Sequence, residues 1–469
     1  MLARKKMRGL PLLIIPILMT GTSTAQAENA VDSVVLRMEK FFKSSYPPPK
    51  DNRQDSALPQ VEKDRLTLEQ CLAIALRENL DLAGKHQSLI GKQFTETATF
   101  RKMLPTLSLS TSRSDILTYT SSDNRAEEYS TTLTLSQPIF RGKSLWGNWK
   151  KSELASQQAK MDVTRQVQKL IKDVKAAWYG ILEKEQLLSS SKEALKRLHI
   201  HEENARAYFN VGRYWQNEVL QAQVEVAKGV QAVIEAENDL LLAESSLNRL
   251  LRQPLDNPIE TDDKLEWVEM SGLTLEEAYR QARTNRQDLE KSYLDLKSNK
   301  WSEVTAGYTL LPQVDFTTTY NMSAGQASYH KYDGYTTATV SMSWDLWNWG
   351  QVSSEVLAAK ATSKKSLLTY DDKIQSVLLE VREAYLNAKE ADKKVQVLKK
   401  ALQQSEENLK VNEIRYQQQL GSATDVLDAL DLRTTTRDSY ISSLSGYLTS
   451  LATLELAVGM SGNIAQSTH

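Results

Sequence analysis

Histidine and cysteine side chains are the first places to look for metal binding or nucleophilic catalysis in this chain. His199 and His201 are the two histidines closest in sequence, but on a predicted helix a separation of two residues points them to different faces, and no zinc-binding spacing is present. The full set is His86, His199, His201, His330 and His469. We therefore expect His199 and His201 to be solvated helix residues rather than metal ligands.

Other signatures of catalysis are missing from the sequence. There is no phosphate-binding glycine loop and no nucleophile elbow. The single cysteine, Cys71, excludes disulfides within the chain, and its interior position in a predicted amphipathic helix does not suit a lipid anchor. The net charge is -1, and no basic cluster is interleaved with aromatic residues, so nucleic acid is not an expected partner. The sequence predicts neither an enzyme nor a cofactor or metal site.

The N-terminus has the parts of a secretory signal peptide, which we assign to residues 1–27. A basic segment precedes the apolar run Leu10 to Met19, and Ala25-Gln26-Ala27 follows as a cleavage site. Residues 28–65 are polar and contain a run of three prolines, so we predict an extended linker. Because no later stretch is apolar enough for a transmembrane helix, a membrane-spanning part must consist of β-strands.

The main feature of the sequence is an internal duplication. Leu66 begins LTLEQCLAIALRENLDL and Leu273 begins LTLEEAYRQARTNRQDL, an offset of 207 residues (273 − 66) that recurs along both halves. A repeat of this length indicates a duplicated domain. We assign the first repeat to residues 66–256, an inter-repeat linker to 257–272, the second repeat to 273–460 and a disordered tail to 461–469.

Each repeat is predicted to open with a helix, for which Thr67 is a candidate N-cap, and to continue with two strands. The predicted strands are Thr106 to Thr120, Glu128 to Gln137, Gln313 to Gln326 and Gly334 to Trp344. Apolar and polar residues alternate in them, which is typical of membrane β-strands but also of a soluble hairpin with one buried face. Large aromatic residues near the strand ends favour the membrane interpretation, because such rings settle at the membrane interface. They are Phe140, Trp146, Trp149, Trp344, Trp347 and Trp349.

After the strands, each repeat has a long segment nearly free of helix breakers. Apolar and small residues recur at alternating steps of three and four, which is the coiled-coil period. The pattern breaks near Val211-Gly212 and near Leu420-Gly421, so each repeat is predicted to form a helical hairpin with arms of about 65 and 35 residues. At 1.5 Å per residue, the longer arm reaches on the order of 100 Å.

Four membrane strands per chain would leave two sheet edges unpaired in lipid, at several kcal/mol for each unsatisfied backbone group. Copies of the chain must therefore associate, and two, three or four of them would supply enough strands for a closed barrel. Small barrels are filled by their own side chains, so a conduit favours three or more copies.

The chain from Leu66 to Met460 resembles the TolC family of outer-membrane efflux proteins. The motifs that carry the resemblance are the two LTLE openings, the Leu-Pro pairs before the strands, and the sequences at the two hairpin tips. At the second tip these are Arg415-Tyr416, Ser422, Asp425-Val426-Leu427 and Ala429; at the first they are Phe209, Gly212, Glu218-Val219-Leu220 and Ala222.

The resemblance implies a mixed membrane protein with long α-helical coiled-coil hairpins and four β-strands per chain. Three copies would share a 12-stranded β-barrel in the outer membrane of a Gram-negative bacterium, in contact with its lipid, and an α-helical tunnel through the periplasm. The implied function is that of a passive duct for efflux or secretion. The implied partners are a periplasmic adaptor protein and an inner-membrane pump of the RND, ABC or MFS type, which supplies the energy.

The resemblance also implies roles for residues at the tips. Asp425 and Asp428 match positions that form carboxylate rings at the periplasmic entrance, and Glu218 and Tyr416 match positions that help to hold it closed. The alternative for Asp425 is an acidic residue in the first turn of a helix, favoured by the helix dipole. Gln419 departs from the family pattern, which has glycine there. The positions implied for adaptor contact are Val211, Gly212, Arg213, Leu420, Gly421 and Ser422.

An alternative hypothesis is a structural coiled-coil protein of the cell envelope without a pore. The strand pairs and the tryptophan clusters favour the duct, because a coiled coil alone has no use for them. A periplasmic hydrolase or binding protein would need a convergent polar site, which the sequence does not indicate. The cargo stays open among drugs, metal ions, proteins and polysaccharides.

Overall fold

The computed structural model describes residues 66–115, 127–212, 215–270, 272–325, 333–418 and 420–460. The predicted signal peptide, N-terminal linker and C-terminal tail lie outside these residues, as do His330 and His469. The helices are α1 (Leu68–Glu78), α2 (Leu80–Arg101), α3 (Ser144–Asn210), α4 (Gln216–Leu251), α5 (Leu275–Asn285), α6 (Gln287–Tyr308), α7 (Gln351–Gln417) and α8 (Ala423–Val458). The strands are β1 (Thr106–Asp115), β2 (Glu127–Arg141), β3 (Gln313–Gly325) and β4 (Asp333–Ser343).

The duplication predicted from the sequence is confirmed in the helices. Each helix of the first half recurs in the second half with the same length, namely 11, 22, 67 and 36 residues in chain order. The offset is also the same throughout, as the starts of α3 at Ser144 and α7 at Gln351 illustrate (351 − 144 = 207). The helical hairpins therefore have the predicted arms, with 67 residues in the long arm and 36 in the short arm.

The opening helix of each half is broken in two, whereas we expected one helix. α1 begins at the predicted N-cap, where Thr67 and Gln70 form a reciprocal capping box, and it ends at Asn79. The Asn79 side chain then caps α2 by accepting hydrogen bonds from the backbone N–H groups of Asp81 and Leu82. The equivalent break between α5 and α6 lies at Arg286.

These breaks place two helices end to end along each long arm. Asn79 donates a hydrogen bond from Nδ2 to the carbonyl of Leu250 at the end of α4, at 3.3 Å. Arg286 donates from Nη1 to the carbonyl of Ala457 at the end of α8, at 3.1 Å. The 36-residue α4 and the 22-residue α2 consequently follow each other beside the 67-residue α3. The side chains at the breaks satisfy carbonyls that a helix end leaves without partners.

The strands form one antiparallel sheet in the order β1-β2-β3-β4. All four strands begin within one residue of the predicted start, and β3 and β4 also end within one residue of the predicted end. β2 continues to Arg141, four residues beyond the prediction, and the part of predicted β1 after Asp115 lies outside the described residues. A register shift between Pro138 and Phe140 accommodates the proline, which cannot donate to the ladder. β1 and β4 are the edge strands.

The two faces of the sheet differ sharply in polarity. The ladder pairs Leu107 with Leu135 and Phe316 with Val340, so these residues share one face. The opposite face is formed almost entirely by hydroxyl and other small polar side chains. The polar face includes Ser108, Ser110, Thr132, Thr134, Thr317, Thr319, Asn321, Thr337, Thr339 and Ser341. Exposed residues of the apolar face include Leu107, Leu109, Leu135, Tyr320, Val340 and Met342. The predicted alternation is thus confirmed.

The two hairpins meet where α3 packs along α8. Trp178 and Ile181 of α3 and Tyr447 of α8 are almost completely buried. Lys175 of α3 and Glu455 of α8 form an ion pair at 2.5 Å with both side chains nearly excluded from solvent. None of the helices in the described ranges combines the length and hydrophobicity needed to cross a lipid bilayer.

Cys71 is buried in α1. Burial, together with the nearby carboxylate of Asp263, raises the pKa of its thiol to about 12. The thiol is therefore protonated and unreactive at neutral pH.

Candidate functional site at the hairpin tips

The first hairpin turns through a residue in the left-handed region. α3 ends at Asn210, and Gly212 adopts φ +72°, which glycine reaches without steric cost. The N–H of Gly212 donates to the carbonyl of Phe209 at 2.9 Å. Val211 and Trp215 are exposed on either side of the turn, and Arg213 lies outside the described residues.

The second hairpin turns through a different set of contacts. The N–H of Leu420 donates to the carbonyl of Arg415 at 2.8 Å, and the Arg415 guanidinium donates back to the carbonyl of Leu420 at 3.4 Å. A Cβ on Gly421 would lie 3.3 Å from the Cβ of Arg415, so the close approach favours glycine there. Gln419, the departure from the family pattern, lies outside the described residues.

Asp425 and Asp428 are exposed on the first turns of α8, three residues apart. Asp425 is engaged in capping this helix, because its carboxylate accepts from the N–H of Ser422 at 2.9 Å while the Ser422 hydroxyl accepts from the N–H of Asp425 at 3.1 Å. These hydrogen bonds, with a smaller contribution from the charge of Arg415, lower the pKa of Asp425. Asp425 is thus an acidic residue in the first turn of α8 that also caps it, and Asp428 is the carboxylate not used by the capping box.

Tyr416 is buried between the two hairpins. It forms a cluster with Ala423 and Val426 of α8, and Tyr208 of α3 packs edge-on against its ring with 5.9 Å between centroids. Glu218 lies half-buried in the first turn of α4, where its N–H donates to the carbonyl of Trp215 at 3.1 Å. The predicted entrance residues are therefore divided between the two tips, with Tyr416 at the contact between the hairpins.

His201 is buried against Tyr416, so the expectation that His201 is solvated was wrong. The two ring centroids are 5.4 Å apart, and His201 is only 6% exposed. His199, by contrast, is exposed as expected. A periodicity argument within one helix misplaced His201 because the covering residue comes from α7, more than two hundred positions away.

Ion pairs continue this contact toward the middle of the hairpins. Arg197 of α3 pairs with Glu413 of α7 at 2.9 Å. Glu193, four residues earlier on α3, pairs with Arg433 of α8 at 2.9 Å and also with Arg437. Burial opposes ionisation of Glu193, but the hydrogen bond from Arg437 and the two positive charges lower its pKa overall. We refer to Glu193, Arg197, His201 and Tyr208, which face the second hairpin at spacings of four, four and seven, as the tip ladder.

The aromatic residues near the strands fall into two groups. Trp146 and Trp149 belong to α3 and pack against rings of neighbouring helices, Trp301 and Phe100, at centroid distances of 4.9 and 5.8 Å. The other four, Phe140, Trp344, Trp347 and Trp349, are exposed, and so is Trp146. That all six residues lie at a membrane interface stays a prediction.

In the described ranges, no group of histidine, cysteine, aspartate and glutamate side chains has the arrangement of a metal site. The sequence profile of the outer membrane efflux protein family matches residues 74–252 and 278–460, once on each half of the chain.

The chain belongs to the outer membrane efflux protein family.

No curated protein is similar in sequence to this efflux protein. Its fold is nevertheless shared with solved outer-membrane channels. The Campylobacter jejuni CmeC outer membrane channel is 16% identical, with a TM-score of 0.73 over 89% of this chain and 95% of the channel. The open state of the Neisseria gonorrhoeae MtrE outer membrane channel is 18% identical, with a TM-score of 0.73 over 86% and 91%. The outer membrane protein VceC from Vibrio cholerae is 16% identical, with a TM-score of 0.72 over 85% and 96%.

These comparisons bear on the predicted class of protein. The family is one of outer membrane efflux proteins, so this chain is an efflux protein and not an enzyme. The predicted fold class, long helical hairpins with four antiparallel strands in a duplicated chain, is confirmed.

Sequence reasoning missed the tip ladder as a unit. The i, i+4 spacing of Glu193, Arg197 and His201 is visible in the sequence and marks one face of α3. Nothing in the sequence of α3 alone says that this face meets Glu413, Arg433 and Tyr416.

Proposed function

We propose that this efflux protein is one of three identical subunits of a passive duct in the outer membrane of a Gram-negative bacterium. The three chains contribute their four-stranded sheets to one twelve-stranded barrel. Their helical hairpins form a tunnel that extends into the periplasm, and an inner-membrane pump supplies the energy for efflux or secretion.

The observation that carries the proposal is the sheet, with its two edge strands and its two unlike faces. An apolar, exposed face opposite a face of hydroxyl side chains suits a wall between lipid and an aqueous lumen. In hydrocarbon, the backbone groups along the outer edges of β1 and β4 would each cost several kcal/mol unless another strand paired with them. Joining β1 of one copy to β4 of the next removes both edges at once.

The opposite end of the molecule supports docking of a periplasmic adaptor protein. Val211, Trp215 and Leu420 expose apolar surface at the two tips, far along the helices from the sheet. An exposed apolar patch at the end of a long hairpin is typical of an interaction site. The adaptor contacts both tips, at Val211, Gly212 and Arg213 and at Leu420, Gly421 and Ser422, and it connects the duct to a pump of the RND, ABC or MFS type.

The same end forms the gated entrance. Asp428, with Asp425 beside it, lines the narrowest part, where three-fold symmetry multiplies two carboxylates into a ring that attracts cations. The tip ladder and Tyr416 keep the two hairpins of one chain together when the entrance is closed, because separating them would expose buried rings and unpair partly buried charges. Glu218 supports the closed arrangement from the first tip.

Reconstitution tests the duct directly. The purified full-length protein should require detergent for extraction, should have the mass of a trimer by light scattering, and should conduct ions when inserted into planar bilayers. A structural coiled-coil protein of the envelope would instead be released by carbonate or high salt and would leave bilayers insulating, and either result would refute the proposal.

A further inference from the structure

The two faces of the helical layer can be told apart on α8. Tyr447 donates from Oη to the carbonyl of Val268 at 2.7 Å, which places the inter-repeat linker on this side of the helix. Asp438 and Leu456 lie nine residues before and after Tyr447, and nine residues are two and a half helical turns, so both face away from the linker. Asp438 lines a cavity of about 930 Å³ to which α3, α4, α7 and α8 all contribute, so the layer is concave on that side. A wall of hairpins that encloses a tunnel is concave towards the lumen.

A second cavity on the concave side has an excess of basic side chains. It has a volume of about 260 Å³ and lies where α2 and α3 meet the end of α8, to which Leu456 belongs. The charged residues that line it are Lys85, Asp162, Arg165, Lys169, Lys172 and Asp173. Four cations against two carboxylates leave a net charge of two positive units, and we refer to this site as the basic cavity.

Both carboxylates of the basic cavity are already engaged by lysines. Asp162 accepts two hydrogen bonds from Nζ of Lys291 on α6, at 2.8 and 3.0 Å. Asp173 pairs with its neighbour Lys172 at 3.1 Å. Neither carboxylate is therefore free to neutralise the other cations of the cavity.

Two of those cations are available to an anion from solution. Lys85 and Lys169 are exposed, and in the part of the chain that the structure describes neither has an ion pair or a hydrogen bond. Arg165 lies beside them, fixed by a hydrogen bond of 2.8 Å from its Nη1 to the carbonyl of Leu456. Lysine ammonium and arginine guanidinium groups bind phosphate and carboxylate oxygens through charge-assisted hydrogen bonds.

The internal repeat shows that the helices do not need these cations in order to form. The equivalents of the four cations in the second half, at the offset of 207 residues, carry no positive charge. They are Ser292, Asp372, Ser376 and Leu379. α6 and α7 nevertheless have the same lengths as α2 and α3. The positive charge in the first half is therefore not a requirement of the architecture, and binding of an anion gives it a use.

The larger cavity on the same face has the opposite balance of charge. Its charged residues are Lys184, Glu235, Asp239, Glu390, Lys394 and Asp438. Lys169 and Lys184 are 15 residues apart on α3, about 22 Å along the helix axis. This separation exceeds the screening length of roughly 8 Å at physiological ionic strength, so the acidic groups do not cancel the potential of the basic cavity.

We propose that the basic cavity is an anion site in the lumen, where Lys85, Arg165 and Lys169 bind the phosphate, sulfate or carboxylate groups of a multivalent anionic cargo. The inference rests on the proposed duct, and it adds a class of cargo. Three copies of the chain repeat the site around the lumen, and rings of basic side chains favour anions in pores.

Calorimetric titration with inorganic pyrophosphate tests the site on the full-length protein in a non-ionic detergent, without requiring that it conduct. Lys85→Gln combined with Lys169→Gln should weaken binding by about tenfold at low ionic strength. Because neither lysine has a partner in the described part of the chain, the variant should fold as the unmodified protein does. Titration with citrate shows whether the site prefers carboxylate or phosphate oxygens, and it should respond to the same substitutions.

The matched control removes the same charge from the other side of the layer. Lys264→Gln combined with Lys389→Gln should leave the affinity for pyrophosphate unchanged, and both lysines are exposed. Lys264 belongs to the linker, and Lys389 lies three residues from Asp392, which accepts a hydrogen bond from Trp267 of the linker at 2.9 Å. Absence of binding to the unmodified protein, or equal affinity in both double variants, would overturn the inference.

Thiol labelling in planar bilayers tests whether the cavity faces the lumen. A negatively charged methanethiosulfonate reagent should change the single-channel conductance of Lys169→Cys and leave that of Lys264→Cys unaltered. The native Cys71 is buried and its thiol is protonated, so it should not react. If Lys169→Cys is labelled, as shown by its mass, and its conductance stays the same, the site is not in the lumen while the duct stands. If the unmodified protein does not conduct, the proposed function itself fails, and the titration separately decides whether the cavity binds anions.

Discussion

The imidazole of His201 packs against the phenol ring of Tyr416, with 5.4 Å between the ring centroids, and so joins the long arm of the first hairpin to that of the second. Tyr208 contacts the same ring from α3, one heptad further on. Glu202, beside His201, is paired with Arg206, and Arg197 is paired with Glu413 of α7. The charged residues next to this ring contact are thus already engaged in ion pairs with other side chains.

The contact between His201 and Tyr416 should weaken in acid. Burial lowers the pKa of His201 below its ordinary value of 6.5, so the packed state favours the neutral ring. Its contribution to hairpin packing is fully present above pH 6.5 and is lost as the pH falls through the lowered pKa. Hydrogen exchange of the amides in residues 405–418, corrected for intrinsic pH effects, should increase between pH 7 and pH 5, and His201→Phe should abolish the increase.

His199→Phe is the matched control, since His199 lies two residues away and is exposed. It should retain the acid-dependent exchange of the unmodified protein. Equal pH dependence in the two variants would mean that His201 does not sense the change.

Replacing only one member of the buried ion pair between Lys175 and Glu455 should lower the free energy of unfolding substantially. Lys175→Met leaves a carboxylate in a site that is 9% exposed, which typically costs about 3 to 5 kcal/mol. Replacing both residues, as Lys175→Met with Glu455→Leu, should recover most of that loss, because no charge is then buried alone. Thermal melting followed by circular dichroism measures the effect.

The exposed pair Lys192 and Glu237 is the comparison for this prediction. Both side chains are about half exposed, so breaking the pair should cost less than about 1 kcal/mol. A loss in Lys192→Met as large as that in Lys175→Met would show that burial is not the cause.

The repeat explains why so much of the helical architecture can be predicted from the sequence. Two independent copies of one pattern indicate the same hairpin, and the breaks at Val211-Gly212 and Leu420-Gly421 mark its tips. The break at Asn79 carries a signal that could have been recognised, because asparagine before Leu80-Asp81 is a typical N-cap. Arg286, at the equivalent break, carries no such signal. Besides its local partner Asp288, it binds Glu380 and the carbonyl of Ala457, which are distant in the sequence.

Contacts between the halves could not be predicted, because the period of a helix does not identify its neighbour. Ser190 and Arg433 are polar and yet buried at the seam between the hairpins, where their positions depend on the other half of the chain. Conversely, Ile234 satisfies every criterion for a core residue and is exposed in the single chain. Hydrophobic patterning indicates that a face will be covered, without saying by which chain.

Stability should decrease as the pH rises through neutrality because of a carboxylate pair on the first hairpin. Burial and the nearby Glu244 raise the pKa of Glu185 to about 7 from an ordinary 4.5. The folded chain therefore binds this proton more tightly than the unfolded chain, and the associated stability, complete below pH 4.5, is lost as the pH rises through about 7. Glu185→Gln should raise the melting temperature at pH 8, by an amount equivalent to about 1 kcal/mol, since solvent screens the charge of this half-buried group.

The benefit of Glu185→Gln should disappear near pH 4, where the wild-type carboxyl is also neutral. Glu203→Gln, at an exposed position on the same helix, should leave the melting temperature unchanged at both pH values. A gain in Glu185→Gln that is equal at pH 4 and pH 8 would exclude ionisation as its source.

Substitutions of the two aspartates at the second tip should have different effects on stability. Asp428→Ala should weaken block of the reconstituted channel by multivalent cations, with no loss of thermal stability, because Asp428 takes no part in the capping box. Asp425→Ala should weaken the block and also destabilise the start of α8, since it removes half of that box.

Single-channel recording with and without a trivalent cation gives the block, and hydrogen exchange of the first turn of α8 gives the stability. Unaltered block in the double variant would remove both carboxylates from the entrance.

The equal lengths of corresponding helices have a mechanical consequence. One extra residue in α3 would raise its tip by about 1.5 Å and rotate every side chain beyond it by about 100°. The rim built from the two kinds of hairpin would then be uneven, and the faces that meet their neighbours above the insertion would turn away from them. Both halves have drifted far apart in sequence while their 67-residue arms have stayed the same length. The length of the long helices is therefore the property whose change this architecture tolerates least.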